Sequence, residues 1–197
     1  MATEASPERT YTIEEFMRLP DDGYAYDLVD GRLERMSPTG GEHGLIASRL
    51  NIYLGSYVLE HGLGDTFAAE TAFVLDPATR NVRGADVAFV ATARLAAVGE
   101  GAMPFPPDLA IEVISPSDRL TNVRKKVAAY QRAGVPLIWV VNPRRQTVEV
   151  YHQDDVGPTT LGLDGELDGE HVIPGFMLSV RTVFKGIPTT TRGRRKS

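Results

Sequence analysis

The chain has 197 residues and no cysteine, and its 21 lysines and arginines against 26 aspartates and glutamates leave a formal charge of −5. That length suits one domain with a sizeable core, and 42% apolar with 24% charged residues is the composition of a folded chain rather than a disordered one. The missing cysteines exclude disulfides, thiol catalysis, iron–sulfur clusters and cysteine zinc sites. No apolar run approaches the roughly 20 residues of a membrane helix. The opening MATEASPERT has neither the basic nor the apolar segment of a signal peptide. The expectation is a soluble, cytoplasmic protein with no membrane partner.

Arg192, Arg194, Arg195 and Lys196 put four positive charges into the last six residues, so the rest of the chain is more acidic still. An acidic body disfavours broad non-specific nucleic-acid binding but leaves room for a local basic groove. The basic end reads either as a phosphate-binding arm or as a frayed, solubilising terminus. Residues 1–10 are expected to be a flexible N-terminus, 11–186 a single domain, and 187–197 a flexible basic tail.

Thr12 and Glu15 have the spacing of a capping box for a short helix to about Leu19, ended by Pro20 and Asp21-Asp22-Gly23. Tyr24–Val29 and Arg32–Met36 flank Asp30-Gly31, a favoured two-residue hairpin turn. From Glu42 to Glu60 the residues Ile46, Leu50, Tyr53, Leu54 and Tyr57 recur at helical spacing, with Gly62 as the stop. Strands are expected at Phe67–Leu75, Ala85–Ala91 and Leu109–Ile114, with a proline-rich loop over 92–107. Ser117 or Asp118 would cap a helix running to Ala133, stopped by Gly134. Leu137–Val141 reads as a buried strand and Thr147–Tyr151 as the next. The fold class is α/β (or α+β), a mixed sheet with helices on its faces, extended by the N-terminal helix and hairpin.

Two carboxylates interrupt apolar strands. Ala85–Ala91 is apolar except for Asp86, and Leu109–Ile114 is apolar except for Glu112. Strands apolar on both faces are central and covered. A carboxylate buried there without a partner costs several kcal/mol or takes up a proton. An internal ion pair, hydrogen bonds, or a metal ion would each answer that cost. In the following helix Leu120, Val123, Val127 and Tyr130 form an apolar stripe. Lys126 lies on the edge of the stripe and Lys125 points to solvent; Arg119 and Arg124 also flank it, so spacing alone does not separate Lys126 from them. Two carboxylates and a lysine suit metal-assisted phosphodiester hydrolysis, with hard oxygens for Mg²⁺ or Mn²⁺ and a cation for the transition state.

The segments YDLVDGRLERMSP, His43 at the head of the long helix, RGADVAFV, PDLAIEVISPSD, KVAAYQRAGV, LIWVVNP and the closing IPGF together resemble the Uma-two family. These are endonucleases with the restriction-enzyme fold of the PD-(D/E)XK class. The resemblance runs from Tyr11 to Phe184. It implies that Asp86 and Glu112 hold a divalent metal with help from the Val113 carbonyl, and that DNA is the substrate. The standard motif has lysine two residues after the glutamate, where this chain has Ile114. The family resemblance implies that Lys126, four residues before Tyr130, takes over. Asp27 stands where the family has glutamate, Ala85 where it has proline and Asn142 where it has aspartate. Asp27, His43, Glu70 and Tyr130 are expected to support the site, although Glu70 alone could equally face solvent and His43 could equally be an exposed helix-start residue. Arg119 and Arg124 are candidates for substrate phosphates. The alternative function is a nuclease fold without turnover, binding a protein or nucleic-acid partner. A homodimer would pair through the hairpin at 24–36 or the strand at 147–151.

Overall fold

The computed structural model describes residues 9–69 and 71–187. The expectations for residues 1–8, for Glu70 and for the basic end at 188–197 fall outside them. Ile187, expected in the tail, is buried, and its carbonyl accepts from Gln146 Nε2 at 3.2 Å.

The first helix, α1 (Ile13–Met17), has both halves of its capping box: Glu15 N donates to Thr12 Oγ1 and Thr12 N to Glu15 Oε2. It ends two residues before Leu19. Strands β1 (Tyr26–Val29) and β2 (Arg32–Arg35) form the expected hairpin, and the turn holds Asp30 at φ 50° and Gly31 at φ 75°. Both angles belong to the mirror-image turn that matches strand twist, which is why Asp-Gly is there. Helix α2 (Gly41–Glu60) buries His43, Ile46, Leu50, Leu54 and Val58 along one face.

The strand expected over Phe67–Leu75 is two strands in different sheets, β3 (Gly64–Ala68) and β4 (Ala72–Asp76). The break follows Ala68-Ala69-Glu70, residues of low strand propensity in the middle of the expected run. Strand β5 (Asn81–Gly84) was not anticipated. Strand β6 begins at Val87 (Val87–Ala91), so Ala85 and Asp86 form the step from β5 to β6 rather than part of a core strand. After a short 3-10 helix (Thr92–Ala97) comes β7 (Leu109–Val113). Helix α3 (Leu120–Arg132) follows, with Arg119 as an N-cap that makes no side-chain cap; the expected cap Asp118 instead accepts from Ser115 N at 2.7 Å. Gly134 at φ 82° ends α3 as expected. Strands β8 (Leu137–Asn142), β9 (Thr147–His152), β10 (Thr159–Leu161), β11 (Glu166–Asp168) and β12 (Met177–Ser179) and helix α4 (Val180–Val183) follow within the described residues.

The main sheet has six strands in the order β10-β9-β8-β7-β6-β3, and a second has four in the order β2-β1-β5-β4. In the main sheet β7 and β8 are parallel, joined by α3; its other pairs are antiparallel. This is the mixed, helix-flanked α+β architecture expected. Strand β9 lies between β8 and β10, so the strand at 147–151 offers no free edge, whereas β2 ends the smaller sheet. Among the described residues no helix is long and apolar enough to cross a membrane.

Side-chain alternation divides the core. Leu109, Ile111 and Val113 of β7 join Trp139, Phe176 and α2 on one face of the main sheet. Ala110 joins Val127, Tyr130 and Phe73 on the other, and by the same period Glu112 points there. That second face meets α3 and the four-stranded sheet. Leu120, expected on the apolar stripe of α3, is 52% exposed, like Thr121 and Asn122 beside it in the first turn.

Candidate active site

A cleft of about 620 Å³ opens where β1, β2 and β5 of the smaller sheet face the step before β6, the end of β7 and one side of α3. Its lining includes Asp27, His43, Arg83, Asp86, Glu112 and Lys126. Arg83 and Asp86 are near neighbours in the chain, so five segments distant in sequence contribute these six residues.

Glu112 is 9% exposed and both of its oxygens are engaged. Lys126 Nζ donates to Oε2 at 2.8 Å and the Tyr130 hydroxyl to Oε1 at 2.7 Å. Lys126 and Tyr130 are one helical turn apart, so one face of α3 grips one carboxylate. Lys125, one residue back, is exposed at the cleft mouth. Burial pushes the Glu112 carboxyl up to about 7, with Asp86 adding to the rise and Lys126 opposing it. Burial disfavours the Lys126 ammonium, but the charges of Glu112, Asp27 and Asp86 outweigh it, so the lysine is held protonated. Burial beside Glu112 also raises the Tyr130 phenol well above its usual range, leaving it a hydrogen-bond donor.

Asp86 sits in the step between the sheets. Its Oδ2 accepts from Val113 N at 2.6 Å and lies 3.0 Å from His43 Nε2. Its own N–H donates to the Ile111 carbonyl, tying the step to β7. Among the described residues no donor reaches its other oxygen. His43 is therefore a buried residue bound to Asp86, not an exposed helix start. Burial disfavours the imidazolium, yet the Asp86 contact and the charges of Asp118 and Glu112 raise its pKa on balance. Its Nδ1 is buried without a partner.

Asp27 is buried on β1, where its two oxygens accept from Arg83 Nη1 at 3.2 Å and Gly84 N at 3.1 Å. Arg83 was not singled out from the sequence. It follows from the register: Leu28 faces Val82, which sets Arg83 across from Asp27, while Glu34 faces Asp27 from the other side. Arg83 thus bridges two adjacent like charges, 4.0 Å from Glu34. Its Nε is buried without a partner.

Of the two arginines expected at substrate, Arg119 lines the cleft. Arg124 does not; it is exposed on α3, close enough to bear on Tyr151 of β9. Arg35 and Arg132 line it and were not expected.

The donor set suits a hard divalent cation. Two carboxylates at one cleft, completed by solvent, are how magnesium is commonly held. Among the described residues no cluster of three or more histidine, aspartate or glutamate side chains is arranged as a metal site, so protein side chains alone would not complete the coordination.

A family model described as "Uma2: Putative restriction endonuclease" matches residues 13–181. The chain belongs to the Uma2 family. A crystal structure described as "a putative nuclease belonging to DUF820 from Anabaena variabilis ATCC 29413" shares its fold, with a TM-score of 0.75 at 22% identity over 88% of this chain and 97% of that one. A search of curated proteins gives no match. Within this Uma2 chain Asp27, His43, Asp86, Glu112 and Lys126 line one cleft, and Tyr130 holds Glu112.

Proposed function

We propose that this Uma2 protein is a cytoplasmic, divalent-metal-dependent endonuclease that hydrolyses DNA phosphodiesters in the cleft. The supporting observation is the convergence of Asp86, Glu112 and Lys126, from a sheet step, a strand and a helix, on one open cavity. Asp86 and Glu112, with the Val113 carbonyl, would hold Mg²⁺ or Mn²⁺. When bound, such a cation supplies Lewis-acid charge and lowers the pKa of a coordinated water. The chain's own residues do the rest. His43 and the Val113 N–H aim Asp86, and Tyr130 anchors Glu112. Lys126 offers a buried positive charge where phosphoryl oxygens gain negative charge. Arg119 meets a flanking phosphate at the mouth, a contact that sets position rather than sequence. A homodimer through the open edge of β2 would bring a second site to the opposite strand of a duplex.

The test is incubation with supercoiled plasmid and single-stranded DNA in Mg²⁺, Mn²⁺ or EDTA beside Asp86→Ala. Cleavage that needs metal and vanishes in the variant supports the proposal. No cleavage, or cleavage equal in the variant, removes it. One observation favours the alternative of a non-cleaving binding module: protein donors already occupy three of the four oxygens of Asp86 and Glu112. DNA binding without metal and without cleavage would select it.

A further inference from the structure

We infer that Lys126 holds the cation's place in the metal-free site and is released to the substrate only when the cation takes its position on Glu112. The inference rests on the reading of Asp86 and Glu112 as metal ligands and adds how their loading is controlled.

The two carboxylates are not equally open. Asp86 receives both donors on Oδ2, leaving Oδ1 without one among the described residues. Glu112 has a donor on each oxygen, and the one on Oε2 is a charged ammonium, so a cation arriving at Oε2 meets a like charge there. Tyr130 is 1% exposed and also reaches the Gly84 carbonyl at 3.3 Å, which pins its ring between α3 and the sheet step. Lys126 lines the cleft on a flexible four-carbon stem, so it is the donor that can leave. An ammonium and a divalent cation on the same carboxylate repel strongly in a poorly solvated site. They are therefore alternatives at Glu112 Oε2.

The arrangement has a physical reason. Glu112, Asp86 and Asp27 bring three carboxylates to one wall, and a buried carboxylate without a counter-charge is strongly destabilising. Lys126 supplies that charge while the metal is absent. Once displaced, its ammonium has no carboxylate partner on Glu112 and turns to the cleft, where a phosphate would sit. Metal loading and the arrival of the substrate's positive contact are then one event.

The experiment is calorimetric titration of Mn²⁺ into the full chain at pH 8.5 without DNA, comparing wild type, Lys126→Met, Lys126→Arg, Glu112→Gln and Asp86→Asn, with melting temperatures taken with and without Mn²⁺. Lys126→Met is expected to bind Mn²⁺ at least about tenfold more tightly and to gain a larger melting shift on loading, while failing to cleave DNA. Lys126→Arg, which keeps the charge, should bind no more tightly than wild type. Glu112→Gln and Asp86→Asn should lose binding. If Lys126→Met does not fold, Lys126→Gln takes its place with the same expectation. Equal or weaker Mn²⁺ binding by the uncharged variants, with binding still lost in Glu112→Gln, overturns the place-holding lysine and leaves the metal site intact. If wild type does not bind Mn²⁺, or Glu112→Gln and Asp86→Asn bind like wild type, the metal reading itself fails and takes the place-holding role with it.

Discussion

The two faces of the six-stranded sheet have opposite characters although the same strands build both. Toward α2, β7 presents Leu109, Ile111 and Val113, which pack on Ile46, Leu50, Trp139 and Phe176 without a charge among them. Toward α3, the same strand presents Ala110 and Glu112 to Tyr130 and Lys126. A period of two residues separates them. One face is stability and the other holds a buried charge network that is tolerable only because each charge has a partner. The comparison teaches that the carboxylates are not flaws in a core strand: Glu112 faces the second sheet and the cleft, and Asp86 lies in the step beside it, each held by its own donors.

That division predicts separable effects. The largest is expected on the α3 face: Asp86→Asn should lower DNA cleavage by about 10³-fold or more, with near-UV circular dichroism unchanged. A variant that keeps most of its rate would break the division at its main point. On the α2 face Trp139→Ala should cost about 3–5 kcal/mol in urea unfolding, since its side chain is fully buried, while cleavage per folded molecule stays near wild type. Tyr130→Phe tests the boundary. It deletes the hydroxyl between Glu112 and Gly84 but keeps the ring, so stability should fall by about 1–3 kcal/mol and Mn²⁺ affinity should drop several-fold. A loss of stability with no change in affinity would make Tyr130 part of the core alone.

The smallest effect is a pH dependence. The folded metal-free protein raises the Glu112 pKa from 4.5 to about 7 through burial, so it favours the protonated form. The stability from this group is present below about 4.5 and lost as pH rises through about 7. In EDTA the melting temperature of wild type should therefore fall relative to Glu112→Gln between pH 5 and 8. A constant difference across that range would show that Lys126 and Tyr130 fully offset the burial. Trp139→Phe on the other face should leave the pH profile unaltered.

Local signals carried much of the fold. The Asp30-Gly31 turn, the Thr12–Glu15 capping box, the spacing of Ile46, Leu50 and Leu54, and Gly134 after α3 each act within a few residues, so a linear reading finds them. The step at Asp86 and the assignment of β3 and β4 to different sheets are decided by which sheet a strand joins, a choice that depends on partners distant in sequence. The site followed the same rule. Asp86 and Glu112 stood out as carboxylates in apolar runs. The selection of Lys126 over its basic neighbours needed the family resemblance in the sequence and the Glu112 contact in space. Arg83 escaped because its partner Asp27 is 56 residues away and meets it only through strand register.

What the sequence alone determined is therefore the short-range part: helix and turn positions, the apolar faces, and two carboxylates that needed an explanation. Only the tertiary structure decided which charges answer which. The β1–β5 register sets Arg83 on Asp27, the step between sheets sets Asp86 on His43 and Val113, and the docking of α3 sets Lys126 and Tyr130 on Glu112. The physical reason is distance. Propensity and amphipathic period act over one or two turns of chain, whereas a buried charge is stabilised only by whatever group the fold brings within about 3 Å.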